Sequence, residues 1–134
     1  MNKELPNGWI ETELKNLGEY INGRAFKPSE WKLNGLPIIR IQNLNDQTAD
    51  FNYSDVEHEE KYLVRKGELL MAWSASLGVY FWEKDDAWLN QHIFKVLPNT
   101  CIVTKGFMYY SLQESITAFY AKTHGSGMVH ITKP

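Results

Sequence analysis

The sequence predicts an α+β domain built on a curved, mostly antiparallel sheet with a few helices. Three observations lead there. Short apolar runs are broken by turn residues, one long stretch has helical periodicity, and the length of 134 residues suits one domain with its own core. In chain order, Pro6-Asn7-Gly8 is a turn that launches a strand over Trp9-Ile10-Glu11-Thr12-Glu13-Leu14. Leu17 to Ile21 is expected to be a short helix halted at Asn22-Gly23. Gly35-Leu36-Pro37 opens Ile38-Ile39-Arg40-Ile41, a β-branched run read as a strand. Residues 45–61 are polar and acidic, and are expected to be loop.

Three apolar runs follow: Glu68 to Trp73, Gly78 to Trp82, and Ala87 through Leu97. Ser74-Ala75-Ser76-Leu77 is short enough for a turn, so the first two should pair antiparallel. Pro98-Asn99-Thr100 ends the third. From Lys105 to Lys122, Met108, Leu112, Ile116 and Phe119 recur at helical spacing, with Thr104 as the expected N-cap and Gly125 as the stop. A last short strand is expected over Met128-Val129-His130-Ile131. Trp73, Phe81, Trp82, Trp88 and Phe94 suit the core better than base stacking.

Composition narrows the function classes. Hydrophobic residues at 43% and charged residues at 22% belong to a globular protein, not a disordered one. The single cysteine, Cys101, excludes an internal disulfide framework and suits a reducing compartment. The N-terminus lacks the apolar core of a signal peptide, and no stretch approaches a membrane span, so a soluble cytoplasmic protein is expected. Net charge is −2, whereas nucleic-acid binders usually carry a basic footprint. The charge is uneven: residues 1–60 hold 6 basic and 11 acidic side chains, residues 61–134 hold 8 and 5. A basic face is therefore still available, although composition alone does not suggest DNA.

Catalytic chemistry finds little support. Gly125-Ser126-Gly127 lacks the further glycine and the Lys-Ser/Thr of a nucleotide loop and reads as a turn. His92, His124, His130 and Cys101 show no ligand spacing, so no metal is expected. Glu30-Trp31-Lys32 has the Glu-x-Lys form of metal-dependent nucleases, but no Asp precedes it, and the form recurs at Glu13-Leu14-Lys15. No nucleophile elbow surrounds any serine. A non-catalytic recognition surface remains. Arg24, Lys27 and Arg40 suit phosphates or a guanine edge. The amides of Gln42, Asn43, Asn90 and Gln91 suit adenine, and Ser74, Ser76 and Ser126 are adaptable partners. His92, His124 and His130 lie in the same candidate segments: 22–28, 40–50, 74–78, 90–92 and 124–130. Asn and Gln near strand ends also often satisfy backbone groups, which is the competing role for each amide. A β-rich protein- or carbohydrate-binding module is the alternative class, favoured by the acidic balance and the aromatics.

The order of short signatures adds a family resemblance. Leu5-Pro6-Asn7-Gly8-Trp9, Leu14-Lys15-Asn16-Leu17-Gly18-Glu19 and Asn22-Gly23-Arg24-Ala25-Phe26-Lys27 resemble the opening of recognition domains in the specificity (S) subunit of type I restriction–modification systems. Gly35 to Leu44, Lys66 to Met71, Ser74 to Gly78 and Ala87 to Val96 are similar to that family's later blocks, in the family's order. Gly125 to Lys133 is similar to its closing segment. The resemblance covers nearly the whole chain and implies one target-recognition domain over residues 1–134, with that family's fold. It also implies double-stranded DNA as ligand, with methyltransferase (M) and restriction (R) subunits as partners. In that family the M subunit holds S-adenosylmethionine and methylates adenine, so no cofactor is expected on this chain. The chain stops at Thr132-Lys133-Pro134, where a family member would run on into a spacer helix and a second recognition domain, and both are expected to be missing.

Overall fold

Alternation along the apolar runs decides which way each strand turns its side chains, and in the computed structural model the runs sort into two four-stranded sheets. The structure describes residues 16–46, 48–74 and 76–124; the side chains of 74, 76 and 122–124 lie outside that description. Its strands are β1 (Gly18–Asn22), β2 (Leu36–Ile39), β3 (Asn52–Ser54), β4 (Leu63–Val64), β5 (Leu69–Ser74), β6 (Ser76–Phe81), β7 (Ala87–Leu89) and β8 (Ile93–Pro98). Its α-helices are α1 (Ile41–Asn45) and α2 (Lys105–His124). The first sheet has the order β1-β8-β5-β6 and is antiparallel throughout. The second has the order β3-β2-β7-β4, with one parallel pair, β2 with β7. The predicted α+β class with mostly antiparallel pairing is what the chain adopts, divided between two sheets.

The first sheet is the middle layer. On β5, Leu69 and Met71 join one core, which includes Phe94, Val96, Met108, Leu112 and Ile116. Leu70, between them, joins the other, with Ile39, Val64, Trp82, Leu89 and Ile93. One face of the first sheet thus meets α2 and the other meets the second sheet. Lys95 on β8 is buried with the second group, and its Nζ donates to the Leu63 carbonyl at 2.7 Å, tying the two sheets together. Burial holds the Lys95 ammonium below its ordinary pKa. The expected helix is present with its cap, since the Phe107 N–H donates to Thr104 Oγ1 at 3.0 Å. Trp82, Trp88 and Phe94 are buried and Trp73 and Phe81 are half-buried, in keeping with core packing.

Several sequence expectations are corrected. Leu17 to Ile21 is no helix: Gly18–Asn22 is a strand paired with β8 from Gly18↔Pro98 to Asn22↔Phe94. Five residues make barely one helical turn. A ladder that also buries Tyr20, edge-on to Phe94 at 6.2 Å, is the better solution. The run from Ala87 to Leu97 is two strands in different sheets, broken where His92 takes a left-handed backbone (φ 75°). The strand expected to reach Ile41 stops at Ile39, and α1 begins at Ile41. The expected loop 45–61 contains β3 and a 3-10 turn at Glu60–Tyr62. The predicted Trp9–Leu14 strand, the Gly125 stop and the Met128–Ile131 strand lie outside the described residues.

His58 seals part of the outer face of the second sheet. Its ring stands edge-on to Phe26 at 5.0 Å and to Trp88 at 4.8 Å, with Nε2 2.8 Å from the hydroxyl of buried Ser54. Burial, and next the charge of Arg24, lower its pKa from the ordinary 6.5. The folded state therefore favours neutral imidazole. That stabilisation is complete above pH 6.5 and is lost as the pH falls through the depressed folded value. Melting curves between about pH 7 and pH 5 should show a steeper Tm loss for the natural chain than for His58→Gln. Equal slopes would assign the acid sensitivity elsewhere.

Candidate nucleic-acid interface

Asn90-Gln91-His92 joins a strand of one sheet to a strand of the other, and its surroundings are bonded from three sides. From β2, the Ile39 carbonyl accepts the Asn90 N–H at 3.2 Å, just before the chain turns to Arg40. After β1, the Gly23 N–H donates to the Ile93 carbonyl at 3.0 Å and the Arg24 N–H to the Leu89 carbonyl at 2.9 Å. From β5, the Trp73 N–H donates to the His92 carbonyl at 3.2 Å. The Trp73 indole N–H donates to Asn22 Oδ1 at 3.2 Å, and its ring stacks on Phe94 at 5.6 Å. Residues 22–24, 39–40, 73–74 and 90–92, distant in sequence, thus meet at one end of both sheets. The carboxyl-terminal half of α2 approaches that end too, where the Leu77 N–H donates to the Tyr120 hydroxyl at 3.4 Å.

The side chains there differ in freedom. Arg24 donates to Glu30 Oε1 at 2.9 Å and Oε2 at 3.3 Å, and its guanidinium lies over the Phe26 ring at 4.7 Å. The pairing raises the Arg24 pKa and holds the Glu30 carboxyl below its usual range. Arg24 is fixed in direction but largely neutralised. Lys27 is exposed, and its ammonium has no partner among the described residues. Arg40 donates to the Asp50 carbonyl, and from Nε to Asn43 Oδ1 at 3.4 Å. Asn43 faces inward at 5% exposure: its Oδ1 accepts the Arg40 N–H at 3.0 Å, and its Nδ2 donates to the carbonyls of Asp50 at 3.1 Å and Ala49 at 3.3 Å. Its neighbour Gln42 is exposed on α1, and its side-chain amide has no hydrogen bond among the described residues. Gln91 is exposed in the same way.

Asn90 Oδ1 and His92 Nδ1 are buried atoms without a hydrogen-bond partner among the described residues. An unmet buried acceptor costs about 1–3 kcal/mol, and His92 adds a left-handed backbone. Ser74 and Ser76 face each other across the β5–β6 register next to this turn, and His124 closes α2. The side chains of these three, and the whole of Ser126 and His130, lie outside what is described.

Residues 6–134 match the model of a protein family described as the type I restriction modification DNA specificity domain. The chain belongs to this family. A solved structure, the crystal structure of the HsdS subunit from Thermoanaerobacter tengcongensis, superimposes with a TM-score of 0.53 at 18% sequence identity. The match covers 83% of this chain and 29% of that one, so this specificity domain spans under a third of that subunit's length. At this identity the likeness speaks for a shared fold. No helix among the described residues of the specificity domain is long and apolar enough to cross a membrane.

Two contributors to this end of the specificity domain were not singled out from sequence. Asn22 reads as a stop signal, yet its side chain anchors Trp73. Glu30, considered only for nuclease chemistry, restrains Arg24. Neither pairing has a local sequence signature, since one spans 51 positions and the other six.

Proposed function

We propose that this chain reads one half of a split DNA target as the recognition domain of a type I specificity subunit. In this reading it directs adenine methylation and restriction by M and R subunits, and S-adenosylmethionine is bound by M. The carrying observation is the convergence of three sequence-distant segments on the Asn90–His92 turn, in a chain that matches the DNA specificity family. Exposed Gln42 and Gln91 are the amides best placed to pair with adenine, Lys27 is a phosphate contact, and Arg24 becomes one when Glu30 yields. Asn43, with its amide bonded internally, supports the loop that presents them. Arg40, Ser74, Ser76, Asn90, His92, His124, Ser126 and His130 complete the proposed surface. The chain carries out no chemistry itself: base extrusion and methyl transfer fall to M.

The test is to graft the domain into a complete S subunit, add M, and map methylated adenines on genomic DNA. The half-site should move with the domain; an unmoved motif would sink the reading. Salt dependence gives a second measurement. Lys27→Ala should weaken binding equally on all sequences and reduce the slope of log K against log salt by about 1. Glu30→Gln should steepen that slope by about the same amount by freeing Arg24. If neither slope changes, these cations do not meet phosphates.

A further inference from the structure

The opposite end of the second sheet has a cleft that DNA reading leaves unused. It encloses about 410 Å³, with Leu36, Leu63 and Trp88 contributing apolar walls and Asp55, Glu57 and Asp86 the charged ones. The three carboxylates are exposed and have no ion-pair partner among the described residues. DNA, a polyanion, is repelled here. Beside the cleft is a projecting loop: Leu33 is 100% exposed, Trp31 is 42% exposed, and the ammonium of Lys32 between them has no ion-pair partner among the described residues. The next residues, Asn34 and Gly35, already line the cleft. Gly35 fixes the loop's exit, because its φ of +106° and a Cβ that would lie 2.2 Å from the Ser54 carbonyl oxygen leave room for glycine alone.

We propose that this face is a self-complementary contact between two copies of the chain. Each copy inserts Leu33 into the other's cleft and sets Lys32 against its carboxylate rim. A two-fold contact needs knob and hole on one patch, and both are here, matched in polarity and in charge. Lone exposed leucines are ordinary, but one that sits next to Lys32 and beside an apolar cleft rimmed by carboxylates has a defined destination. A single loop in a single cleft per copy buries well under the roughly 1,200 Å² of a stable interface, so the contact is transient. About 17 Å of extended chain separates Gly35 from Arg40, so paired copies keep both Asn90–His92 turns free. The contact holds whether or not those turns meet DNA.

Sedimentation and amide NMR on the whole chain, from about 20 µM to about 1 mM, test it. The mean mass should rise with concentration, and shifts should map to residues 31–36, 55–57 and 86–88. Leu33→Asp and Lys32→Glu, both at exposed positions that leave the core untouched, should each weaken association at least about tenfold. Lys32→Glu combined with Glu57→Lys should recover most of it. A mass that stays monomeric throughout, association that maps to the exposed Phe107 and Tyr110 on α2, or an undiminished Leu33→Asp chain would each overturn it. So would a monomeric chain whose cleft instead takes a cationic, leucine-bearing peptide, since the site would then belong to a different protein.

Discussion

Replacing Gly23 with alanine is expected to destabilise the domain by about 3–4 kcal/mol and to remove DNA binding with it. An added Cβ would lie 1.8 Å from the Asn90 carbonyl oxygen, 2.4 Å from its carbon and 2.7 Å from the Leu89 oxygen. All three are backbone atoms, so no side chain can rotate away. The end of β1 must instead back off from the turn, straining or breaking the 3.0 Å bond to Ile93 and the 2.9 Å bond to Leu89. Overpacking of this kind costs roughly 1–3 kcal/mol and each lost backbone bond about 1 more. For a domain of this size that corresponds to a Tm fall of roughly 10–15 °C. Gly106→Ala is the matched control. Nothing lies within 4 Å of a Cβ there, and the residue sits in α2, so alanine should stabilise by about 0.5–1 kcal/mol. Urea unfolding of both variants reads the contrast. Two similar, small effects would mean that the 22–24 segment does not depend on close approach to the turn.

The same turn shows where the sequence was legible. The β5–β6 hairpin could be read because two apolar runs flank a segment short enough for a turn, and α2 because Met108, Leu112 and Ile116 recur at helical spacing and are buried. β1 could not. Leu17, Tyr20 and Ile21 fit a helical stripe or a strand equally, and only β8, some 75 positions away in the register, decides between them. The break inside Ala87–Leu97 was also hidden, because His92 provides the left-handed residue where glycine or asparagine is the usual signal. The polar triplet Asn90-Gln91-His92 within an apolar run was the available clue. The segments of the candidate surface were legible from the ordered family-like blocks, but the direction of each side chain was not. Gln42 and Asn43 are adjacent amides of similar chemistry. One faces solvent and the other is buried, a difference set by the position of the 46–50 loop and not by residue type.

That difference leads to a second large effect. Asn43→Ala is expected to cost about 2–3 kcal/mol while leaving the recognised DNA word unchanged. The substitution deprives the Arg40 N–H of its 3.0 Å acceptor and the Ala49 and Asp50 carbonyls of an amide donor. Asp50 keeps the Arg40 guanidinium, so the loop loses part of its attachment. The internal 46–50 turn, in which Thr48 bonds Asp46 through its N–H at 2.9 Å and its hydroxyl at 2.7 Å, should persist locally but come away from α1. Protease cleavage near residues 46–50 should therefore accelerate before global unfolding does. Asn43→Asp keeps the acceptor and loses both donors, and its stability should fall between the natural chain and Asn43→Ala. In a complete S subunit with M, Asn43→Ala should lower the yield of methylated sites without altering the motif, whereas Gln42→Ala should relax or change it. If Asn43→Ala shifts the motif and leaves stability intact, Asn43 is a base-reading residue, and the inward bonds to Arg40 and the 49–50 carbonyls must open when DNA binds.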